Sequence, residues 1–297
     1  MDIKTFEYLF YKTRGADRET IIKEARITPD EYDMMEQSLT GILAEINQDR
    51  ERATSIGKDF VRLTNYLYEG HSDQELGLPF PEAVKDPQGE VIPLPPVGKI
   101  TMPDIQLHQA IGQRRSLRRY SDTPFSQDEL SFLLWASVWA RDFHSGQNNE
   151  FTRRNVPSAG SRHPFECYLL VNRVEGIRPG LYYYHPLKHG LIRMESNDNI
   201  AEEILDGCLG QEMVANSAVT VILSAVPYRT SWRYQQRGYR YLYLDAGHVG
   251  QNVHLAAEAL GAGACMVGAY QDEALNDCLG LDGTSEFVIY VMAVGKK

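Results

Sequence analysis

Leu260-Gly261-Ala262-Gly263-Ala264-Cys265-Met266-Val267-Gly268-Ala269 follows directly on a long helical stretch that runs from about Tyr241. Its GxG comes after a helix and does not open one behind a strand, so it is not a dinucleotide-binding fingerprint. The segment holds no side chain suited to acid–base work. It offers bare backbone that can lie against a flat ligand, and a helix-capping glycine followed by a buried strand explains it equally well. Upstream, residues 104–113 read as helix, and Ser126-Gln127-Asp128-Glu129 is a capping box opening an apolar helix through Leu130, Leu133, Leu134 and Val138. Strands are expected at Glu166–Asn172, Leu181–Tyr184, Val219–Val226 and Phe287–Val294, all rich in β-branched or aromatic residues. Helices outnumber strands and separate them, so the expected class is α+β.

Residues 1–70 read as a helical arm. Thr28-Pro29-Asp30-Glu31 combines a Thr cap, a first-turn Pro and a Glu three residues on. Met34, Met35, Leu39, Ile42, Leu43 and Ile46 then recur on one face. An earlier helix over about 17–25 would make the pair resemble a helix-turn-helix, but the many acids favour a packing or dimer-extending arm over a DNA reader. Seven of the 14 prolines fall between Pro79 and Pro103, which marks 71–103 as an extended connector before a main domain over 104–297.

The net charge of −10 argues against a nucleic-acid binder. Yet Arg114, Arg115, Arg118 and Arg119 crowd together, which suggests one small anionic ligand. No apolar run is long enough to span a bilayer, and Met1-Asp2-Ile3-Lys4 does not start a signal peptide. Scattered Cys167, Cys208, Cys265 and Cys278 are expected as buried reduced thiols of a cytoplasmic protein.

Three segments could carry chemistry. Arg114-Arg115-Ser116-Leu117-Arg118-Arg119-Tyr120 has the planar donors that grip phosphate, and is equally readable as a solvated helix end. Pro157-Ser158-Ala159-Gly160-Ser161-Arg162-His163-Pro164 could bring backbone amides and His163 to a flat polar ligand, or be an ordinary turn before a strand. The third is the glycine-rich stretch at 260–269. His248 and His254 are six apart on one helix and make a poor metal pair, and no metal site is expected. Asp245 and His248 can pair on that helix, as a structural hydrogen bond with no nucleophile beside it.

Taken in order, Arg114-Arg115-Ser116-x-Arg118, Pro157-Ser158-Ala159-Gly160-Ser161 and Gly263-Ala264-Cys265-Met266-Val267-Gly268 resemble the flavin-binding elements of the nitroreductase family. Tyr182-Tyr183-Tyr184-His185, the stretch Arg229 to Tyr234, and Asp245-Ala246-Gly247-His248 narrow the resemblance to the SagB-type dehydrogenase branch, over about residues 55–297. The resemblance implies a central, mainly antiparallel sheet flanked by helices, in a domain-intertwined homodimer with FMN at the subunit interface and an N-terminal helical extension. Arg114 and Ser116, with Arg115 beside them, would hold the phosphate and ribityl chain, and Arg118 the N1/O2 edge of the ring. Pro157, Ser158, Ala159, Gly160, Ser161 and His163 would reach the flavin from the other chain; Ser161 stands where many relatives have Asn. Main chain at Met266, Val267 and Gly268 would border N5, and Lys296 would complete the phosphate site.

Arg233 and Tyr234 are the expected catalytic pair, aligned with a Lys-Tyr pair in azoline-oxidising relatives. Arginine is a poor base and a capable anion clamp, which favours a carboxylate-bearing substrate over azoline oxidation. The function so implied is FMN-dependent ping-pong hydride transfer, with NAD(P)H as donor and a small organic acceptor. The alternatives are a peptide-tailoring dehydrogenase and a non-catalytic flavin-binding sensor.

Overall fold

The computed structural model describes residues 3–38, 53–99, 101 and 104–297. The chain divides into two compact units, Met1–Tyr68 and Glu69–Lys297.

In the first unit, α1 spans Ile3–Lys12, α2 Arg18–Glu24, α3 residues 29–38 and α4 Ile56–Leu63. Asp17 caps α2 by accepting from the Thr20 amide at 2.8 Å. The Thr28 box forms as the sequence dictates. The Thr28 amide donates to Glu31 Oε2 at 2.7 Å, and the Glu31 amide to Thr28 Oγ1 at 3.1 Å. Tyr8, Ile21, Ala25, Ile27 and Tyr32 make a small core. Leu39, Ile42, Leu43 and Ile46, the rest of the expected apolar face, lie outside the described residues.

The second unit is built from β1 (Val91–Pro93), α5 (Leu107–Gln113), α6 (Gln127–Ser137), β2 (Ala140–Ser145), β3 (Glu150–Arg154), β4 (Phe165–Val171), β5 (Gly180–His185) and β6 (Gly190–Arg193). Then follow α7 (Ile200–Gly207), α8 (Met213–Asn216), β7 (Val219–Ala225), α9 (Tyr228–Tyr234), α10 (Gly238–Ala259), β8 (Ala262–Val267), α11 (Asp272–Leu279) and β9 (Phe287–Lys296). Among the described residues seven strands form one sheet in the order β1-β6-β5-β4-β7-β9-β8, and β2-β3 is a separate hairpin. Every pairing in the seven-stranded sheet is antiparallel.

Central strands β4 and β7 are buried at every position, because helices cover both faces. Leu169, Val171, Val221, Leu223 and Met292 point into one core with residues of α6 and α10. Their neighbours Tyr168, Leu170, Ile222, Val291 and Ala293 point into the other with residues of α7 and α11. The architecture is the expected α+β sheet flanked by helices.

One alternative that the sequence left open is realised, and two features differ from the sequence reading. The 260–269 segment resolves into a cap and a strand: Gly261, at φ +64°, ends α10, and β8 follows at once. Strands β1, β2, β3 and β6 escape the apolar pattern, since β1 carries a proline at a sheet edge, β2 is mostly polar and β6 has four residues. The proline-rich stretch is extended but is no free spacer, since residues 69–99 belong to the second unit. There β1 pairs with β6, the Lys85 amide donates to Glu166 Oε1 at 3.1 Å, and Trp232 Nε1 donates to the Leu78 carbonyl at 3.1 Å. No helix among the described residues is long and apolar enough to cross a membrane.

Candidate active site

Helix α10 is the spine on which the three glycine- and arginine-bearing segments converge. The first segment lies along β8. The Leu117 amide donates to the Ala264 carbonyl at 3.0 Å, and Ser116 and Ala264 form a parallel bridge. Gly263 allows this approach, since a Cβ there would come within 2.6 Å of the Leu117 side chain. Tyr120 locks the segment by donating to the carbonyls of Leu117 (2.8 Å) and Ala293 (2.9 Å). Arg115, Ser116 and Arg118 are exposed and Arg114 half-buried. Among the described residues none of Arg114, Arg115 and Arg118 has a carboxylate partner. They present unneutralised guanidinium groups on one edge.

Beta strand β8 carries the third segment past that edge, with Met266 half-buried, Val267 buried and Gly268 exposed. Gly268 opens onto a cleft of about 410 Å³ lined also by Tyr243, Ala246, Gly247, Tyr270 and Tyr290. The first segment thus lies against the strand that carries the third, in contact at Ala264.

The second segment is held by a side chain of α10. Ser158 Oγ donates to Asp245 Oδ2 at 2.6 Å, and the Ala159 amide donates to the same oxygen at 3.1 Å. Ser158 Oγ also accepts from the His163 amide at 2.9 Å, closing the loop on itself. Gly160, Ser161 and His163 all have positive φ, a conformation costly for side chains other than glycine's. Burial raises the Asp245 pKa, partly offset by these hydrogen bonds. Burial and the nearby Arg154 and Arg162 push His163 down from 6.5 to about 2, so its imidazole stays neutral. Pro157 is exposed, and its carbonyl lies 3.3 Å from His248 Nδ1.

Arg233 and Tyr234 meet this second segment. A Cβ on Gly160 would lie 2.6 Å from Tyr234 Oη and 3.1 Å from Arg233 Nη1. Arg233 is exposed at the end of α9, with no carboxylate partner among the described residues. No hydrogen bond or ion pair among the described residues joins 157–163 to 114–118 or to 266–268. The direct contacts fall into two groups, 114–118 with β8 and 157–163 with 233–234, and both groups reach α10.

Lys296 lies beside the end of the first segment, its carbonyl accepting from the Ser121 amide at 3.0 Å. Its ammonium is paired with Glu129, the same residue that closes the capping box of α6. Lys297 pairs with buried Glu258 at 2.7 Å, and His254, also on α10, feels the charge of Arg114. The sequence reading missed the pinning role of Asp245 toward Ser158, because the contact spans 87 residues and no local pattern announces it. It also passed over Arg162, whose Nε donates to the Arg229 carbonyl at 2.7 Å and whose guanidinium lies 5.1 Å from the Trp232 ring.

With this geometry in view, the comparisons converge. Residues 111–296 match the family model described as "Nitroreductase family". The chain belongs to the nitroreductase family of oxidoreductases. It is 34% identical over 202 residues to MJ1384 of Methanocaldococcus jannaschii, which carries a provisional nitroreductase name, across 67% of this chain and 96% of that one. It is 31% identical over 141 residues to the trifolitoxin-processing protein TfxB of Rhizobium leguminosarum bv. trifolii, across 46% of this chain and 38% of TfxB. A crystal structure assigned to the nitroreductases, from Anabaena variabilis, is similar with a TM-score of 0.53 and 29% identity, across 64% of this chain and 38% of that chain. The chain therefore spans well under half the length of these last two proteins.

Proposed function

We propose that the protein is an FMN-dependent oxidoreductase that works as a homodimer, taking hydride from NAD(P)H and passing it to a small organic acceptor by a ping-pong route. One observation carries this reading. Arg114, Arg115 and Arg118, which have no carboxylate partner among the described residues, flank the contact of Ser116 and Leu117 with Ala264 of β8, and the same strand leads to Gly268 at the mouth of an open cleft. A flavin mononucleotide has that bipolar form, an anionic tail on a flat ring.

In this reading Arg114 and Ser116 hold the phosphate and ribityl chain, with Arg115 alongside. Arg118 faces the N1/O2 edge, where positive charge favours the reduced ring. Main chain at Met266, Val267 and Gly268 borders N5. Bound FMN would supply hydride acceptance and donation at that atom. Pro157, Ser158, Ala159, Gly160, Ser161 and His163 of a second copy close the site from the opposite side. Neutral His163 offers a hydrogen bond without adding charge. Lys296 joins the phosphate site only by exchanging its Glu129 partner. Arg233 and Tyr234, carried with the second group, face the substrate, and Tyr234 is the proton donor of the pair.

The test is a visible spectrum of purified protein, release and identification of the chromophore, and anaerobic addition of NADH or NADPH. Bound FMN that bleaches supports the reading. Protein that cannot take up FMN ends it, and FMN that bleaches with neither nicotinamide removes the proposed donor. A second reading, peptide-tailoring dehydrogenation on the SagB-type branch, is favoured by the likeness to TfxB. Arg233, a poor base, weighs against it, and FMN-dependent oxidation of an azoline peptide by the purified protein would decide for it.

A further inference from the structure

The chain buries three arginines near the 157–163 loop and neutralises them only in part. Arg154, Arg162 and Arg229 are each at most 8% exposed. Arg229 Nη2 pairs with buried Glu166 at 2.5 Å, which also accepts from Tyr183 Oη at 2.6 Å. That is the single carboxylate in ion-pair contact with any of the three among the described residues.

Arg162 is satisfied by neutral acceptors alone: the Arg229 carbonyl, Asn149 Oδ1 at 2.8 Å and the Glu150 carbonyl at 3.2 Å. Arg154 reaches Thr152 Oγ1 at 3.2 Å and two carbonyls at 3.4 and 3.5 Å. Arg154 Nη2 and Arg229 Nη1 are buried with no hydrogen-bond partner. The carboxylate of Glu150 accepts from the Ala83 amide, and that of Asp245 is taken by Ser158 and Ala159. Arg233 adds a fourth cation at the surface, and it and Arg229 push Arg162 down to about 10 alongside the larger effect of burial.

Charge buried without a counter-ion is costly, and the cost is relieved when a ligand brings the missing sign. We propose that Arg233, Tyr234 and Gly160 form a subsite for a compact oxyanion of a substrate, with Arg233 as the grip and buried Arg154 and Arg162 as charge without a paired carboxylate behind it. The oxyanion is either the carboxylate of an acceptor or the phosphate of a donor. Tyr234 Oη beside Gly160 provides the neutral hydrogen bond that orients it. The proposal deepens the flavin-dependent reading and, for its kinetic consequences, rests on it.

The experiment compares the full chain with Arg233→Gln and Arg233→Lys, and with Arg178→Gln as an exposed arginine elsewhere. Flavin content is recorded first, which decides the parent reading by itself. Thermal midpoints are then measured with benzoate and with inorganic phosphate, a readout that needs no turnover. Kinetics follow with 4-nitrobenzoate against 4-nitrobenzyl alcohol, and with NADPH against NADH.

Loss of one charge-assisted contact should raise KM about tenfold or more for the charged member of one pair in Arg233→Gln. The neutral acceptor, or NADH, should stay within about twofold, and Arg233→Lys should fall between. A selective effect on 4-nitrobenzoate assigns the subsite to the acceptor, and one on NADPH to the donor. Benzoate or phosphate should raise the midpoint of the parent protein and of Arg178→Gln, but not of Arg233→Gln. Equal loss for charged and neutral substrates, or no midpoint shift with either anion, overturns the proposal. A protein without flavin that still shows the Arg233-dependent shift keeps the subsite and discards the parent reading.

Discussion

Asp245 and Ser158, 87 residues apart in sequence, are joined by a 2.6 Å hydrogen bond that fixes the 157–163 loop to the middle of α10. The same carboxylate oxygen takes the Ala159 amide, so one buried side chain sets the loop's entry. Asp245→Leu leaves a hydroxyl and an amide without a partner and should cost about 2–4 kcal/mol. Asp245→Asn keeps one acceptor and should cost about 1 kcal/mol. Urea unfolding checks both, and equal losses for the two variants would show that the hydrogen bonds do not hold the loop.

Gly160 is the point where that loop meets α9. At φ +58°, with Tyr234 Oη 2.6 Å from where a Cβ would stand, alanine is both strained and too large. Gly160→Ala should lower stability by about 1–2 kcal/mol from the backbone conformation. It should also displace Tyr234 and Arg233, changing KM for the acceptor more than FMN content. Unfolding curves and steady-state kinetics read the two effects separately.

The acid limb of stability should carry a histidine signature. His163 has its pKa pushed down from 6.5 to about 2, so the folded state refuses a proton that the unfolded chain accepts. Stability from this group is intact above pH 6.5 and is lost as pH falls toward 2, by about 1.4 kcal/mol per pH unit. Buried His185 and His254 and half-buried His189 shift in the same direction and add to the slope. His163→Asn, which tolerates the positive φ, should lose about 2 kcal/mol less than the parent between pH 7 and 5. Identical losses would contradict the burial argument.

Glu166 carries the countercharge for Arg229 and lies near Arg154. Glu166→Gln should cost about 3–5 kcal/mol, because it strands buried guanidinium groups. Glu166→Gln combined with Arg229→Met should lose less than the sum of the two single changes. Additive losses would show that the pair is not coupled.

The fold was legible wherever local chemistry decided it. The Thr28 and Ser126 boxes formed as read, since cap, hydroxyl and Glu sit within four residues of each other. Apolar runs such as Val219–Ala225 became central strands because both faces of the sheet are covered. Short edge strands such as β1 owe their existence to a partner far along the chain. The proline-rich stretch looked like a linker because its anchors are side chains elsewhere, among them Arg229, whose Nε donates to the Glu82 carbonyl at 2.6 Å. The three candidate segments could be read as motifs. What pins them, Asp245 for one loop and Ala264 for another, is a matter of tertiary contact, and so is the arginine cluster.

In the proposed dimer two copies share each flavin, with residues 114–118 and 268 from one and residues 157–161 from the other. Co-expression of Arg114→Ala with Ser158→Leu, each carrying a different affinity tag, tests this directly through FMN content. Each variant alone should purify with little FMN. A random mixture should recover about one site in four, because half the dimers are mixed and each mixed dimer holds one intact site. Recovery confined to doubly tagged dimers is the result expected. Mixed dimers as empty as their parents would contradict shared sites, and FMN retained by both single variants would contradict the assignment of those residues.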